Sequence, residues 1–218
     1  MKTIATAVVL FFTMSLCGLN ASVSTDGADS KKIDKNTKGS EMQSVEPTKK
    51  ASNPIVELET TMGNIEIELY PEKAPKTVEN FLKYVNDGFY DGTVFHRVIK
   101  GFMVQCGGFD KDMEQKKTRS QIAIESDNGL KNARGTIAMA RTSNPNSATS
   151  QFFINAKDND FLNYTASTTQ GYGYAVFGKV IKGMDTVDKI ETAKTSSQNQ
   201  MDDVPVSNII IQKAAEKK

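Results

Sequence analysis

From Pro54 onward, apolar and polar positions alternate. In IVELETTMGNIEIELY, Val56 and Leu58 precede Met62-Gly63-Asn64, and Ile65, Ile67 and Leu69 follow it. Alternation with period two on both sides of a turn triplet predicts a β-hairpin with one buried face. The period then changes. In APKTVENFLKYVNDGFY, Val78, Phe81, Leu82 and Val85 fall at i, i+3, i+4 and i+7, with Pro75 near the start and Gly88 after the end. That spacing predicts an amphipathic helix of about three turns. Short β-like runs separated by turn residues follow: TVFHRVI, FMVQCG, GTIAMA, SQFFINA, YAVFGKV and NIIIQ. A second helix fits MDTVDKIE, where Met184, Val187 and Ile190 share a face. The order predicts a mainly β fold: a closed eight-stranded antiparallel β-barrel capped by two α-helices. Closure would leave no open sheet edge.

Upstream of Pro54 there is no such period. MKTIATAVVLFFTMSLCGLNA has a positive start, an almost wholly apolar stretch from Ile4 to Leu16 and a small residue at Ala21. Residues 1–21 therefore read as a secretory signal peptide, with a retained N-terminal anchor as the alternative. Lipid attachment at Cys17 is a further option, although Leu16 stands where lipoprotein signals usually carry a small residue. Residues 22–53 are polar and mixed in charge, with Val23, Ile33, Met42 and Val45 scattered among them. Such a stretch buries too little apolar area to offset its ordering entropy and reads as a disordered tether, or else as a partner-binding segment. This places the folded domain at 54–213 and a charged tail at 214–218. The expected location is periplasmic or otherwise exported, with no membrane contact unless Cys17 is lipidated.

The chain has 218 residues, enough for one good-sized domain with appendages. Its formal net charge of +1 supplies no global field for nucleic acid or an acidic membrane. With Cys17 removed in a signal, Cys106 would be the sole thiol, so no internal disulfide is expected.

Candidate chemistry narrows by elimination. His96 is the chain's one histidine, and no CxxC or HExxH accompanies it, so no metal site is expected. No GxSxG elbow supplies a serine nucleophile. His96 reads as a structural residue with its ring nitrogen bonded inside the barrel. Cys106 lies beside glycines with no second histidine or helix start to activate it, and reads as a packed thiol. GYGYAVFG does not match GxGxxG, and no phosphate-binding GxxxxGK[ST] occurs. What remains is a set without a nucleophile: Arg97, Phe102, Met103 and Gln105, then MARTSNPNSATSQFFINA and DNDFLN.

The blocks FHRVIKGFMVQCGGF, GTIAMAR, NSATSQFFINA and YAVFGKV resemble the signature blocks of the cyclophilin family of peptidyl-prolyl cis-trans isomerases, and NDFLN and QGYGYAVFGKV are similar to its exported and cytosolic bacterial branch. The resemblance runs from about Pro54 to Lys213. It implies an isomerase of X-Pro bonds in proteins folding in the cell envelope, acting on proline-containing polypeptides as a monomer without cofactor. A binding module that holds proline segments, with incidental turnover, is the alternative. Arg97 matches the family's catalytic arginine. Gln105 and Gln151 match the amides that hold the peptide backbone and that arginine. Phe102, Met103, Phe153 and Leu162 match the apolar residues around the substrate proline, and Ala140 the wall that meets the preceding residue. Three positions depart from the commoner eukaryotic pattern. Arg141 replaces an asparagine. Tyr174 stands where many members carry histidine. Phe161 stands where drug-sensitive members carry tryptophan, and without the indole N–H donor weak cyclosporin binding is expected.

Overall fold

The computed structural model describes residues 52–198 and 200–217. The expected signal at 1–21, Cys17 and the tether up to residue 51 lie outside the described residues. At the tether's end, the Asn53 side-chain amide donates to the Glu68 carboxylate (3.2 Å) and the Pro54 carbonyl accepts from the Leu69 amide (2.9 Å).

The elements follow the sequence periods closely. Strands β1 (Ile55–Thr60) and β2 (Gly63–Leu69) form the first hairpin. Helix α1 (Pro75–Asn86) starts on its proline and buries Val78, Phe81, Tyr84 and Val85. Then come β3 (Arg97–Ile99), β4 (Met103–Cys106), β5 (Thr136–Met139), β6 (Phe152–Asn155) and β7 (Val176–Lys182). Helix α2 (Met184–Glu191), a small hairpin of β8 (Thr195–Gln198) and β9 (Met201–Pro205), and β10 (Ile211–Lys217) complete the chain.

Eight strands form one antiparallel sheet in the order β10-β1-β2-β7-β5-β6-β4-β3. The fold is mainly β with two helices, as expected, but the sheet curls into a half-barrel with no ladder between its edge strands β10 and β3. The physical reason is register. Ile211–Lys217 pairs with β1, and the segment leading into β3 is met only around the start of β10: Val94 bridges Ile210, Phe95 N–H donates to the Ile209 carbonyl (2.9 Å), and Ile211 N–H donates to the Thr93 carbonyl (2.8 Å). The expected tail boundary at 213 also moves. Ala214–Lys217 pair with Ile55–Leu58 and continue the sheet, with Ala214 buried in the main core. The β8–β9 hairpin forms a separate two-stranded sheet that the sequence reading did not include.

The concave side of the sheet holds the main core. Phe81 of α1 sits at its centre, with ring centroids 5.2 Å from each of Tyr90, Phe152 and Phe177. Helix α1 has no side-chain cap from its own first residues. Glu125, 48 residues further along from Thr77, supplies one: its carboxylate accepts from Lys76 N (3.1 Å), Thr77 N (2.8 Å) and Thr77 Oγ1 (2.7 Å). A carboxylate on the otherwise unpaired N–H groups of a helix start is favourable through hydrogen bonding and the helix dipole. Glu125→Ala is expected to lower the unfolding free energy by about 1–2 kcal/mol, read as a reduced urea midpoint at unchanged slope.

Candidate active site

Strand alternation sorts β3 to β6 into two faces. Val98, Val104, Cys106, Ile137, Met139, Phe152 and Ile154 join the main core. Their neighbours point the other way, where Met103, Ala138 and Phe153 form a second apolar cluster with Leu162 and Val176, flanked by Ile99, Phe102, Ala140 and Tyr174. The candidate site lies on this outer face. Arg97, Phe102, Met103, Gln105, Ala140, Arg141, Gln151, Phe153, Leu162 and Tyr174 line one cavity of about 370 Å³, together with His96, Phe109 and Met201. Phe102 and Met103 both reach it, although adjacent, because Phe102 lies in the β3–β4 turn (its N–H donates to the Ile99 carbonyl, 3.1 Å) and Met103 opens β4.

Phe161 is the expected site residue that falls outside this lining. It is 73% exposed and stacks on Phe102 with centroids 5.5 Å apart. It sits on the short 3₁₀ turn Asp160–Leu162, which turns Leu162 inward and leaves Phe161 outside. Phe161 therefore extends the apolar wall beyond the cavity mouth.

Two of the expected amides pair with each other. Gln105 lies opposite Arg97 in the β3–β4 register, yet its Nε2 donates to Gln151 Oε1 (2.9 Å). Among the described residues the acceptor beside Arg97 is Asp203 of β9, with Oδ2 3.9 Å from Nε. Gln151 is given room by Gly108, where an added Cβ would meet the Gln151 side chain at 2.5–2.6 Å. Gly108→Ala should displace that side chain and break the amide pair. One neutral hydrogen bond corresponds to roughly fivefold in rate, so kcat/KM of a reaction that uses this pair should fall by about that factor while the unfolding midpoint hardly moves.

Arg141 spends its donors on backbone: Nε on the Gly173 carbonyl (2.7 Å) and Nη1 on that of Thr142 (2.9 Å). Its guanidinium lies 4.9 Å from the centre of the Tyr174 ring, and Tyr174 meets Phe153 edge-on at 5.5 Å. The arginine thus fixes a wall. Gly173 has a φ of 57°, and a Cβ there would come within 2.3 Å of the Leu162 carbonyl oxygen, so only glycine allows this approach.

Four buried asparagines hold the same walls from behind. Asn132 Nδ2 donates to the Leu162 carbonyl (3.0 Å), and Asn163 Oδ1 accepts from Asn132 N (2.7 Å). Asn159 Nδ2 donates to the Phe102 carbonyl (3.0 Å) and to Asn155 Oδ1 (2.7 Å). Asn155 in turn donates to Thr136 Oγ1 (2.9 Å). Bonding a buried amide to neighbouring backbone avoids a desolvation cost and fixes geometry. Sequence reading missed this network because asparagine in a loop usually signals a turn.

His96 is buried in the cavity wall, 4.7 Å from the Phe109 ring. Burial, reinforced by the Arg97 charge, lowers its pKa to about 4, so it is neutral at pH 7. Hydrogen bonding to the Val94 backbone and the Gln151 side chain opposes that shift, while Nδ1 makes no hydrogen bond of normal geometry. Cys106 is fully buried on the core face, opposite the cavity, and burial pushes its thiol pKa well up. That placement removes it as a nucleophile for this site.

The site is a cleft with one exposed cation at its rim, apolar walls and no activated nucleophile. Apolar walls beside an exposed donor suit an apolar group that carries a hydrogen-bond acceptor. Comparison with known proteins agrees. The cyclophilin type peptidyl-prolyl cis-trans isomerase/CLD family matches residues 55–216. A peptidyl-prolyl cis-trans isomerase of Streptomyces antibioticus is 58% identical over 159 residues, covering 73% of this chain and 96% of that protein. Peptidyl-prolyl cis-trans isomerase B of Escherichia coli is 53% identical over 158 residues, covering 72% and 96%. A crystal structure of a cyclophilin type peptidyl-prolyl cis-trans isomerase from Cryptosporidium parvum covers 76% of this chain and 98% of its own at a TM-score of 0.62 and 29% identity. The same protein in the presence of the dipeptide Ala-Pro gives 0.61 at 30% identity, covering 75% of this chain and 99% of its own. The chain belongs to the cyclophilin-type peptidyl-prolyl cis-trans isomerases, enzymes that interconvert the two isomers of the X-Pro bond.

Proposed function

We propose that this cleft binds the proline of a polypeptide and that Arg97 stabilises the twisted imide. Rotation about a peptide bond costs about 18–20 kcal/mol because twisting destroys amide resonance. At the twisted geometry the proline nitrogen becomes pyramidal and regains its lone pair. A donor there has a partner it lacks in the planar ground state, and that difference is catalysis. Arginine keeps its charge and offers a rigid fork of donors.

Magnitudes divide the work. Raising a rate from about 10⁻² to about 10³ s⁻¹ lowers the barrier by roughly 7 kcal/mol. One charge-assisted hydrogen bond contributes about 1.5–3 kcal/mol. The rest comes from holding the ring while the other side of the bond swings, and from excluding water when substrate covers the exposed guanidinium. Phe102, Met103, Phe153 and Leu162 hold the ring. The small side chain of Ala140 leaves space for the residue before proline. The Gln105–Gln151 pair presents its remaining polar atoms to the peptide backbone.

The observation that carries this reading is that Arg97 and all four ring-holding residues share one cavity. The test is a protease-coupled isomerisation assay on the full chain with a proline tetrapeptide, comparing wild type with Arg97→Ala. The apolar N-terminal run supports a role in the cell envelope. Mass spectrometry of the protein from its native cells tests that placement: an intact Met1 start in the soluble fraction would contradict it.

A further inference from the structure

The β8–β9 hairpin has no part in the scheme above, yet β9 lies beside β3 and brings Met201 into the cavity wall. We propose that Asp203, on this hairpin, is a positioning residue that holds Arg97 by its Nε and leaves the terminal nitrogens for the substrate. The inference rests on the role proposed for Arg97.

Three observations carry it. Gln105 donates through Nε2 to Gln151, which leaves its Oε1 as an acceptor, yet no hydrogen bond joins it to Arg97 among the described residues. Among the described residues Asp203 is the carboxylate within ion-pair distance of Arg97, at 3.9 Å from Nε. The neighbouring Asp202 is occupied in a different way, accepting from Ser197 Oγ (2.6 Å) across the hairpin. Its backbone is also shaped for the task. Asp203 has a φ of 62°, a left-handed conformation that L-residues other than glycine adopt at a cost, with aspartate and asparagine the least penalised. In that conformation Asp203 Oδ2 lies 3.9 Å from Arg97 Nε on β3.

Stability is not the purpose of this contact. Both side chains are well exposed, 46% for Arg97 and 40% for Asp203, and an exposed pair adds little to folding. Direction is the purpose. Arginine has many rotamers, and a donor that stabilises only the twisted state must already point at it. A carboxylate on Nε restricts those rotamers without occupying the outer edge of the fork.

The experiment measures kcat and KM of the full chain on an uncharged proline tetrapeptide. Asp203→Asn keeps the left-handed preference and the shape while removing the charge. It is expected to lower kcat and kcat/KM about fivefold with KM unchanged, the signature of an interaction made only in the transition state. Because the pair is exposed, raising ionic strength from about 0.02 to about 1 M should bring wild-type kcat/KM down toward the variant's value, and the variant should not respond. In an Arg97→Ala background, Asp203→Asn should cause no further loss. Wild-type kcat/KM in Asp203→Asn, an equal salt response in both proteins, or full additivity with Arg97→Ala would each overturn the proposal. A merely structural role for Asp203 would lower the unfolding midpoint and give no differential salt response. If Arg97→Ala itself keeps wild-type turnover, the role of Arg97 fails. If Arg97→Ala is inactive and Asp203→Asn is fully active, only the positioning role fails.

Discussion

Arg97→Ala is expected to lower kcat/KM on a proline peptide by roughly 10²–10³-fold, the loss typical of removing one donor aimed at developing charge in a transition state. The loss should fall on kcat, with KM nearly unchanged, because the ground-state amide nitrogen offers the guanidinium no lone pair to bond. Folding should be almost unaffected. The side chain is about half exposed and its ion pair with Asp203 is long, so truncation removes little buried area and leaves no buried charge. Arg97→Lys should restore only a small part of the activity, since an ammonium on a flexible stem cannot reproduce the planar fork. Near-wild-type turnover in Arg97→Ala, with the fold intact by circular dichroism, would sink the mechanism. It would leave the cleft as a binding surface alone.

A second large effect concerns acid. His96 is held neutral, its pKa lowered to about 4 from an ordinary value near 6.5. The folded state therefore binds a proton less readily than the unfolded chain. Stability from this group is fully present above about pH 6.5 and is lost as pH falls toward 4. Between pH 7.5 and pH 5 the loss amounts to about 2 kcal/mol, before most carboxylates titrate. His96→Gln should flatten the dependence in that window whatever it does to stability at pH 7.5. Urea unfolding of wild type and variant at both pH values measures it, and equal slopes would show that His96 is not the responsible group. Isomerase activity at pH 7 should be far less sensitive to His96→Gln than to Arg97→Ala, because a neutral imidazole in the wall carries no charge to the reaction.

The sequence was legible wherever burial followed a regular period. The β1–β2 hairpin and α1 could be read from alternation and from Pro75 because one face of each meets the core directly. The residues of the cleft could be placed together only through the family resemblance. Alternation identifies two faces of a strand, and it does not say that the outer face of β4 meets the outer face of β6. The β8–β9 hairpin was missed for a different reason. TSSQ and MDDVP carry no apolar period, and only Val204 and Pro205 are buried there. That hairpin depends on tertiary contact with β3, so Asp203 gave no local signal. Glu125 was equally silent, since its helix start lies almost fifty positions away in the chain. The closed barrel was an inference from strand count, and strand count alone does not fix how the two edges meet.

The division of β3 to β6 into inner and outer faces has a consequence for inheritance. In a random mutagenesis screen, lesions should segregate by parity along each strand. Changes at Val98, Val104, Ile137 or Ile154 would deplete the polypeptide from the cell, whereas changes at the more exposed Arg97 or Gln105 would leave it abundant and idle.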